Sequence, residues 1–476
     1  MEMKRILTAT SLLIISVSLL TSCSSVSSSV PSSNRTNRTT ASQNDNDKTP
    51  ESDSLIASGF YKVTPLGADG KVQKGTDEIV GDIVFLHEEL YFNSKTNLVF
   101  NGIRGIFDKR GVIFSTIDSD QSVTHHWSFK KETDPQGTVV ISHENDQTLL
   151  TLSFPPSDST KRLLLTYIGR SLLHSKHTFL SHHGSPYNRG LNNNGIYPEN
   201  SLASFQESLR AGYDGFEVDV RITKDQKYIA FHDSRLALDS TCRGKVSSWL
   251  LEDLEKNCSL DHTTVIPNFI GKKAKKISPM DSLKSILEET LPDPRLKTLA
   301  IDIKPSSDED IVAGIQDALQ NIHDEALLKK IIFISRTDTS LTQLKTLFPS
   351  AHGALEGKIG REPSTHLLDF APGSNSIKNG NHTVVSFGMW VPILQEMQSV
   401  KIHNFIKIAH ENGYTVMAWT AKRPKTLQRA MRNFSEFDML MSDVPFDVIA
   451  REELREHKLK TNFKLYEDGD EDDLSE

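Results

Sequence analysis

Cysteine is scarce in this 476-residue chain, three in all, and no C-x-x-C pair occurs among them. That excludes a disulfide framework and the usual structural zinc sites, so the core must rest on hydrophobic packing. A basic excess is also lacking, since 62 acidic side chains face 54 basic ones for a net charge of −8. General nucleic-acid binding needs a positive surface to neutralise phosphates, and this balance argues against it. The apolar run from Ile6 to Leu20, about 15 residues, is short of the roughly 20 that span a bilayer. What the chain does have is length, enough for two or three domains or for one large barrel with a smaller partner.

The N-terminus combines Lys4 and Arg5, the short apolar run and small residues before Cys23, the parts of a secretory signal. Leu20-Thr21-Ser22-Cys23 resembles the bacterial lipoprotein box, which implies cleavage of residues 1–22 and lipid on Cys23. The expected location is then the bacterial cell envelope, with a lipid anchor in a membrane. Residues 23–54 are mostly Ser, Thr, Asn, Asp and Pro; they cannot bury enough apolar surface to fold and read as a tether. At the other end, Tyr466 to Glu476 holds seven acidic and no basic residues. The net charge is therefore mainly that of a solvated tail, taken as residues 451–476, and says little about substrate.

Between these ends the texture changes once. Residues 55–170 show short apolar or alternating runs, Ile83 to Leu86, Leu90 to Phe92, Leu98 to Phe100, Val112 to Phe114, Val139 to Ile141, Leu149 to Phe154 and Leu163 to Ile168, separated by turn-forming residues. This predicts a small all-β domain, sandwich or barrel. His125-His126 there lacks a nearby carboxylate or cysteine set and reads as a surface pair. Residues 177–450 alternate strands and helices, which at this length predicts an α/β TIM barrel, (β/α)8. Nine strand candidates are one too many for eight, so one of them is not a barrel strand.

Strand alternation in Gly215-Phe216-Glu217-Val218-Asp219-Val220-Arg221 sends Glu217, Asp219 and Arg221 to one face. Two stacked carboxylates among apolar residues call for a hard divalent cation. Asp302 and Lys304, on the strand beginning at Leu299, add a third carboxylate and a positive charge. His182 and His232 each end a strand candidate, where a barrel of this kind places its active site, and two histidines there can serve as general acid and base. Cys242 and Cys258, 16 apart, can bridge, adding about 3 kcal/mol in the chain-entropy picture, or remain two buried thiols.

From about 177 to 450 these residues resemble the glycerophosphodiester phosphodiesterase family. The family's His-Arg-Gly and Pro-Glu-Asn match His182-His183-Gly184 and Pro198-Glu199-Asn200; its Glu-x-Asp matches Glu217 and Asp219; its His-Asp matches His232-Asp233. Its late Trp-Thr and Asp-x-Pro match Trp419-Thr420 and Asp443-Val444-Pro445. The resemblance implies a TIM barrel that hydrolyses glycerophosphodiesters with a divalent metal, Ca2+ or alternatively Mg2+. Glu217, Asp219 and Asp302 would hold the ion, and His182 and His232 would move protons. Glu199, Lys304, Arg221, His183 and Trp419 would meet the phosphodiester substrate. Three departures stand out: His183 replaces an arginine, Asp302 replaces the usual Glu, and the loop from Ser185 to Tyr197 is long. It is expected to cover or reshape the substrate entrance. The rival readings are a sphingomyelinase-D-like phospholipase and a non-catalytic barrel lipoprotein serving as a binding or envelope module.

Overall fold

The computed structural model describes residues 56–467 apart from 73–82, 91–95, 103–110, 118, 121, 129–135, 145–146, 155–158, 173–176, 185–196, 238, 262–276, 305–306, 336–337, 358–382, 389–395, 434–435 and 445. The signal, the tether with Cys23, Tyr91 and Phe92, nearly all of the 185–197 loop and residues 468–476 lie outside that set.

Eight antiparallel strands come first: β1 (Gly59–Leu66), β2 (Ile83–Leu90), β3 (Thr96–Asn101), β4 (Gly111–Ile117), β5 (Val123–Ser128), β6 (Gly137–Glu144), β7 (Gln147–Phe154) and β8 (Ser159–Gly169). Each pairs with the next, and β8 returns to β1, closing a small barrel. Alternation turns Tyr61, Val63, Val84, Leu86, Phe100 and Trp127 inward to a packed core. The other face of β1 and β2 sends Phe60 and Phe85 outward, against the second barrel.

The second barrel consists of eight parallel strands. These are β9 (Thr178–Ser181), β10 (Gly215–Ile222), β14 (Thr298–Ile303), β15 (Ile331–Ser335), β16 (His352–Gly357), β17 (Val384–Gly388), β18 (Thr415–Ala421) and β19 (Met439–Ser442), with β19 pairing back to β9. The ninth candidate is β11 (Tyr228–Ala230), which runs antiparallel to β10 outside the ring. Two short strands, β12 (Ser259–Leu260) and β13 (Ser278–Pro279), pair separately. Odd-numbered β10 side chains face in, while Phe216, Val218 and Val220 join Leu299, Ile301 and Ile303 in the layer under the helices. A smaller apolar cluster with Leu180, Ala300, Ile332, Met417 and Met441 fills the ring itself.

Helix α1 (Leu202–Ala211) follows β9 and starts at Ser201, whose side chain accepts the Ser204 N–H, a cap worth about 1 kcal/mol. The domain boundary expected at 450 falls inside the last helix, Phe446–Glu467. It is not tail there because its first turns are buried: Phe446 packs on Phe85 (5.4 Å), Tyr213 (5.2 Å) and Phe179 (6.0 Å). Phe179 lies near the N-terminal end of β9, and Tyr213 comes just before β10. The small barrel thus braces the end of the large one opposite the mouth.

Candidate active site

Register assembles the site. Ser181 lies beside Phe216 and Ser442, so the residues just past β9 stand between the upper half of β10 and the end of β19. Asp219 lies beside Asp302. His182, His183 and Gly184 form a single turn in which His183 (φ 56°) and Gly184 (φ 68°) are left-handed. Gly184 is required twice over, since a Cβ there would sit 2.2 Å from Phe205 of α1. The turn is pinned on both sides: the His183 N–H donates to Glu217 Oε2 (3.0 Å), the Asn200 N–H to the His183 carbonyl (2.9 Å), and Ser208 Oγ to the Gly184 carbonyl (2.8 Å).

The structure brings Glu217, Asp219 and Asp302 together, with carboxylate oxygens within 4.8 Å of one another. Lys304 Nζ lies 2.6 Å from both Asp219 Oδ1 and Asp302 Oδ2. His183 completes the cluster, with Nε2 3.0 Å from Asp219 Oδ2 and 3.7 Å from Glu217 Oε2, and Nδ1 3.3 Å from Glu199 Oε2. Burial pulls the His183 imidazole down, but Asp219 and Glu217 override it and hold it well above its ordinary value. Asp219, although buried, is held well below the carboxylate range by His183 and Lys304. Burial with the charges of Asp219 and Asp302 pushes Glu217 well up against His183 and Lys304. Lys304 is likewise raised, its three carboxylate neighbours outweighing burial.

A divalent cation fits this set. The oxygens are crowded enough that Glu217 resists ionising, and Asp219 Oδ1 is buried with no hydrogen-bond donor aligned on it, the nearby ammonium notwithstanding. Asn200, mentioned above only as part of a motif, is a support residue: its Nδ2 donates to Asp219 Oδ2 and its Oδ1 accepts the Asp219 N–H, both at 3.0 Å. Its backbone is left-handed (φ 57°), a region that Asn tolerates.

The two other histidines are each held by a carboxylate. His182 Nδ1 lies 2.6 Å from Asp443 Oδ1, and His232 Nδ1 lies 2.7 Å from Asp233 Oδ1. A carboxylate only accepts, so each Nδ1 carries the proton and each Nε2 is left for chemistry. Burial and His183 lower the His182 pKa, partly offset by Asp443. The His183 and His232 rings are 5.5 Å apart. His232 does not end a barrel strand, as its sequence position suggested. It follows β11, which returns antiparallel from the top of β10, so the chain reaches the mouth by doubling back. Phe231 anchors it in a satellite core with Leu236, Val246, Leu254 and Leu260, and a Cys242–Cys258 disulfide closes that lobe.

Two of the expected substrate contacts also have neighbours within the fold. Arg221 Nε donates to the His232 carbonyl (2.9 Å), bracing that segment. Trp419 is half-buried against the apolar cluster inside the ring.

A TIM barrel with clustered carboxylates, a lysine and two carboxylate-held histidines at its mouth defines a candidate phosphodiester-cleaving site. Residues 189–445, more than half of the chain, match the Glycerophosphoryl diester phosphodiesterase family, and the chain belongs to that family. Similar curated proteins include a glycerophosphodiester phosphodiesterase of Bacillus altitudinis, 37% identical over 62 residues, 13% of this chain and 25% of the relative. Another, from Caldanaerobacter subterraneus, is 23% identical over 255 residues, 53% of this chain and 91% of the relative. The chain spans about a quarter of the length of the first curated relatives it matches. Among solved structures, a glycerophosphodiester phosphodiesterase of Parabacteroides distasonis is similar with TM-score 0.43 and 15% identity, covering 59% of this chain and 98% of that one. An Oleispira antarctica phosphodiesterase in complex with the product sn-glycerol-3-phosphate has TM-score 0.42 and 17% identity, covering 57% and 95%.

Proposed function

We propose that this protein hydrolyses glycerophosphodiesters or related lipid head-group phosphodiesters with a divalent metal ion and a pair of histidines. The observation that carries the reading is the pairing of two Nδ1-anchored histidines with the three-carboxylate cluster in a member of this family. Glu217, Asp219 and Asp302 would hold the ion, which draws charge from the non-bridging phosphate oxygens. Carboxylates alone would select a hard ion, Ca2+ or Mg2+.

The remaining chemistry belongs to side chains. The lowered pKa of His182 keeps it neutral near pH 7, so its Nε2 can take a proton from water or from a substrate hydroxyl. His232, half exposed at the rim, would act from its imidazolium form, giving the Nε2 proton to the departing alkoxide while Nδ1–H stays on Asp233. Lys304 adds positive charge where the transition state gathers negative charge. Glu199, beside His183, and Trp419, in the wall, would face the substrate. The family match favours this reading over a sphingomyelinase-D-like reaction, and competent residues at both histidines and all three carboxylates speak against a decayed binding module.

The lipoprotein-box pattern at Leu20 to Cys23 supports action at the envelope on a lipid anchor through Cys23. Labelling with a radioactive fatty acid would test this, with Cys23→Ala expected to abolish incorporation. For the chemistry, His182→Ala and His232→Ala are each expected to lower kcat by about 10²–10⁴; unchanged turnover in either would refute the assignment.

A further inference from the structure

The structure puts the His183 side chain among the carboxylates of Glu199, Glu217 and Asp219. We propose that His183 Nε2 is itself a metal ligand, so that the site takes a nitrogen-accepting first-row ion such as Zn2+ in preference to Ca2+. The proposal rests on the phosphodiesterase reading for placing an ion at this cluster.

Three observations support it. First, position: Nε2 is 3.0 Å from Asp219 Oδ2 and 3.7 Å from Glu217 Oε2, and donor atoms of His182, His183 and Glu217 form a second group within 4.8 Å that shares Glu217 with the three carboxylates. Second, orientation: His183 Nδ1 faces Glu199 Oε2 at 3.3 Å. A histidine ligand typically donates its other N–H to a carboxylate, which fixes the tautomer with the free nitrogen toward the ion. Glu199, His183 and the cluster have that order. Third, compensation: Asp302 Oδ2 is held by the Lys304 ammonium at 2.6 Å. The oxygen set is weakened on that strand, while the imidazole adds a donor on the opposite side of Asp219.

On binding, the Nε2 proton would leave to solvent, freeing the Nε2 lone pair for the ion. Imidazole nitrogen suits Zn2+ far better than Ca2+, which is bound through oxygen. Since first-row ions outrank Ca2+ at many sites, the discriminating quantity is the dependence on His183.

The experiment is metal titration of the full-length, chelator-stripped protein without substrate, using Zn2+, Mn2+ and Ca2+ alone, on wild type, His183→Ala and Glu199→Gln. Melting curves verify that each variant is folded. Wild type is expected to bind Zn2+ at least about 100-fold more tightly than Ca2+. His183→Ala should weaken Zn2+ at least tenfold with Ca2+ changed less than threefold, and Glu199→Gln should weaken Zn2+ by about 10–100-fold. In the Co2+-loaded protein, one paramagnetically shifted, exchangeable imidazole N–H should vanish in His183→Ala. If that variant does not fold, Glu199→Gln decides. Tighter Ca2+ than Zn2+ binding, or Zn2+ affinity within twofold of wild type in the folded variants, would overturn the proposal. Product release by the wild type, measured separately, keeps its failure distinct from failure of the phosphodiesterase reading.

Discussion

Asp443 holds His182 by a 2.6 Å contact, and its charge raises a histidine that burial and His183 lower. Replacing Asp443 with Asn keeps the shape but removes the charge, so the pKa of His182 should fall further. The acid limb of the kcat/KM profile should then move to lower pH, with a reduced plateau. An unmoved limb would mean that His182 is not the base. Glu453, buried on the last helix, accepts hydrogen bonds from Ser171 Oγ and the Leu172 N–H, both at 3.0 Å. Burial lifts its pKa to about 7 from an ordinary 4.5. The native state thus keeps a proton that the unfolded chain releases near 4.5. The resulting stabilisation is complete below that pH and is lost as pH rises through 7, about 3 kcal/mol in all. Glu453→Gln should flatten the fall in urea stability between pH 5 and pH 8. Some of this was legible in the sequence: the residue types at 182, 217, 219, 232, 302 and 304 announced their chemistry. The partners of His183 were not legible, because that side chain is aimed by a left-handed turn and by Gly184's close approach to Phe205, neither of which leaves a periodic mark.

At the scale of elements, strands that carry an unbroken run or a clean alternation of apolar residues were readable, and those without either were not. β5 (Val-Thr-His-His-Trp-Ser) and β1, interrupted by Lys62, Thr64 and Pro65, carry too little apolar patterning to stand out, and only barrel closure makes them strands. β11 was readable as a strand but not as an antiparallel one, since direction depends on the short return after Ile222. The lobe that follows is held by a small satellite core and by the Cys242–Cys258 bridge. Reduction, or the double Ser variant, should cost about 3 kcal/mol for a loop of this length. The loss should appear first as faster amide exchange from Phe231 to Leu260. Because His232 enters the mouth from this lobe, kcat should fall more than KM rises. Equal exchange with and without the bridge would contradict this account of the lobe.

For the whole molecule, the small barrel meets the large one through Phe60 and Phe85 against Phe446, Tyr213 and Phe179, at the end away from the carboxylates. Its role in the fold is to cover apolar surface there. Phe85→Ala should cost about 3–5 kcal/mol and lower Tm, while kcat at a temperature where the variant is folded stays near wild type. A large loss of turnover would show that the small barrel acts on the site. The family assignment rests on residues 189–445, and the catalytic account rests on the three carboxylates and His232 within them together with His182 just before them. Its most direct test is release of sn-glycerol 3-phosphate from a panel of glycerophosphodiesters by the purified chain, before chelation, after it, and after return of a divalent ion. The account predicts turnover that chelation abolishes and the ion restores. Folded, metal-replete protein that releases no product, or turnover indifferent to chelation, would contradict it.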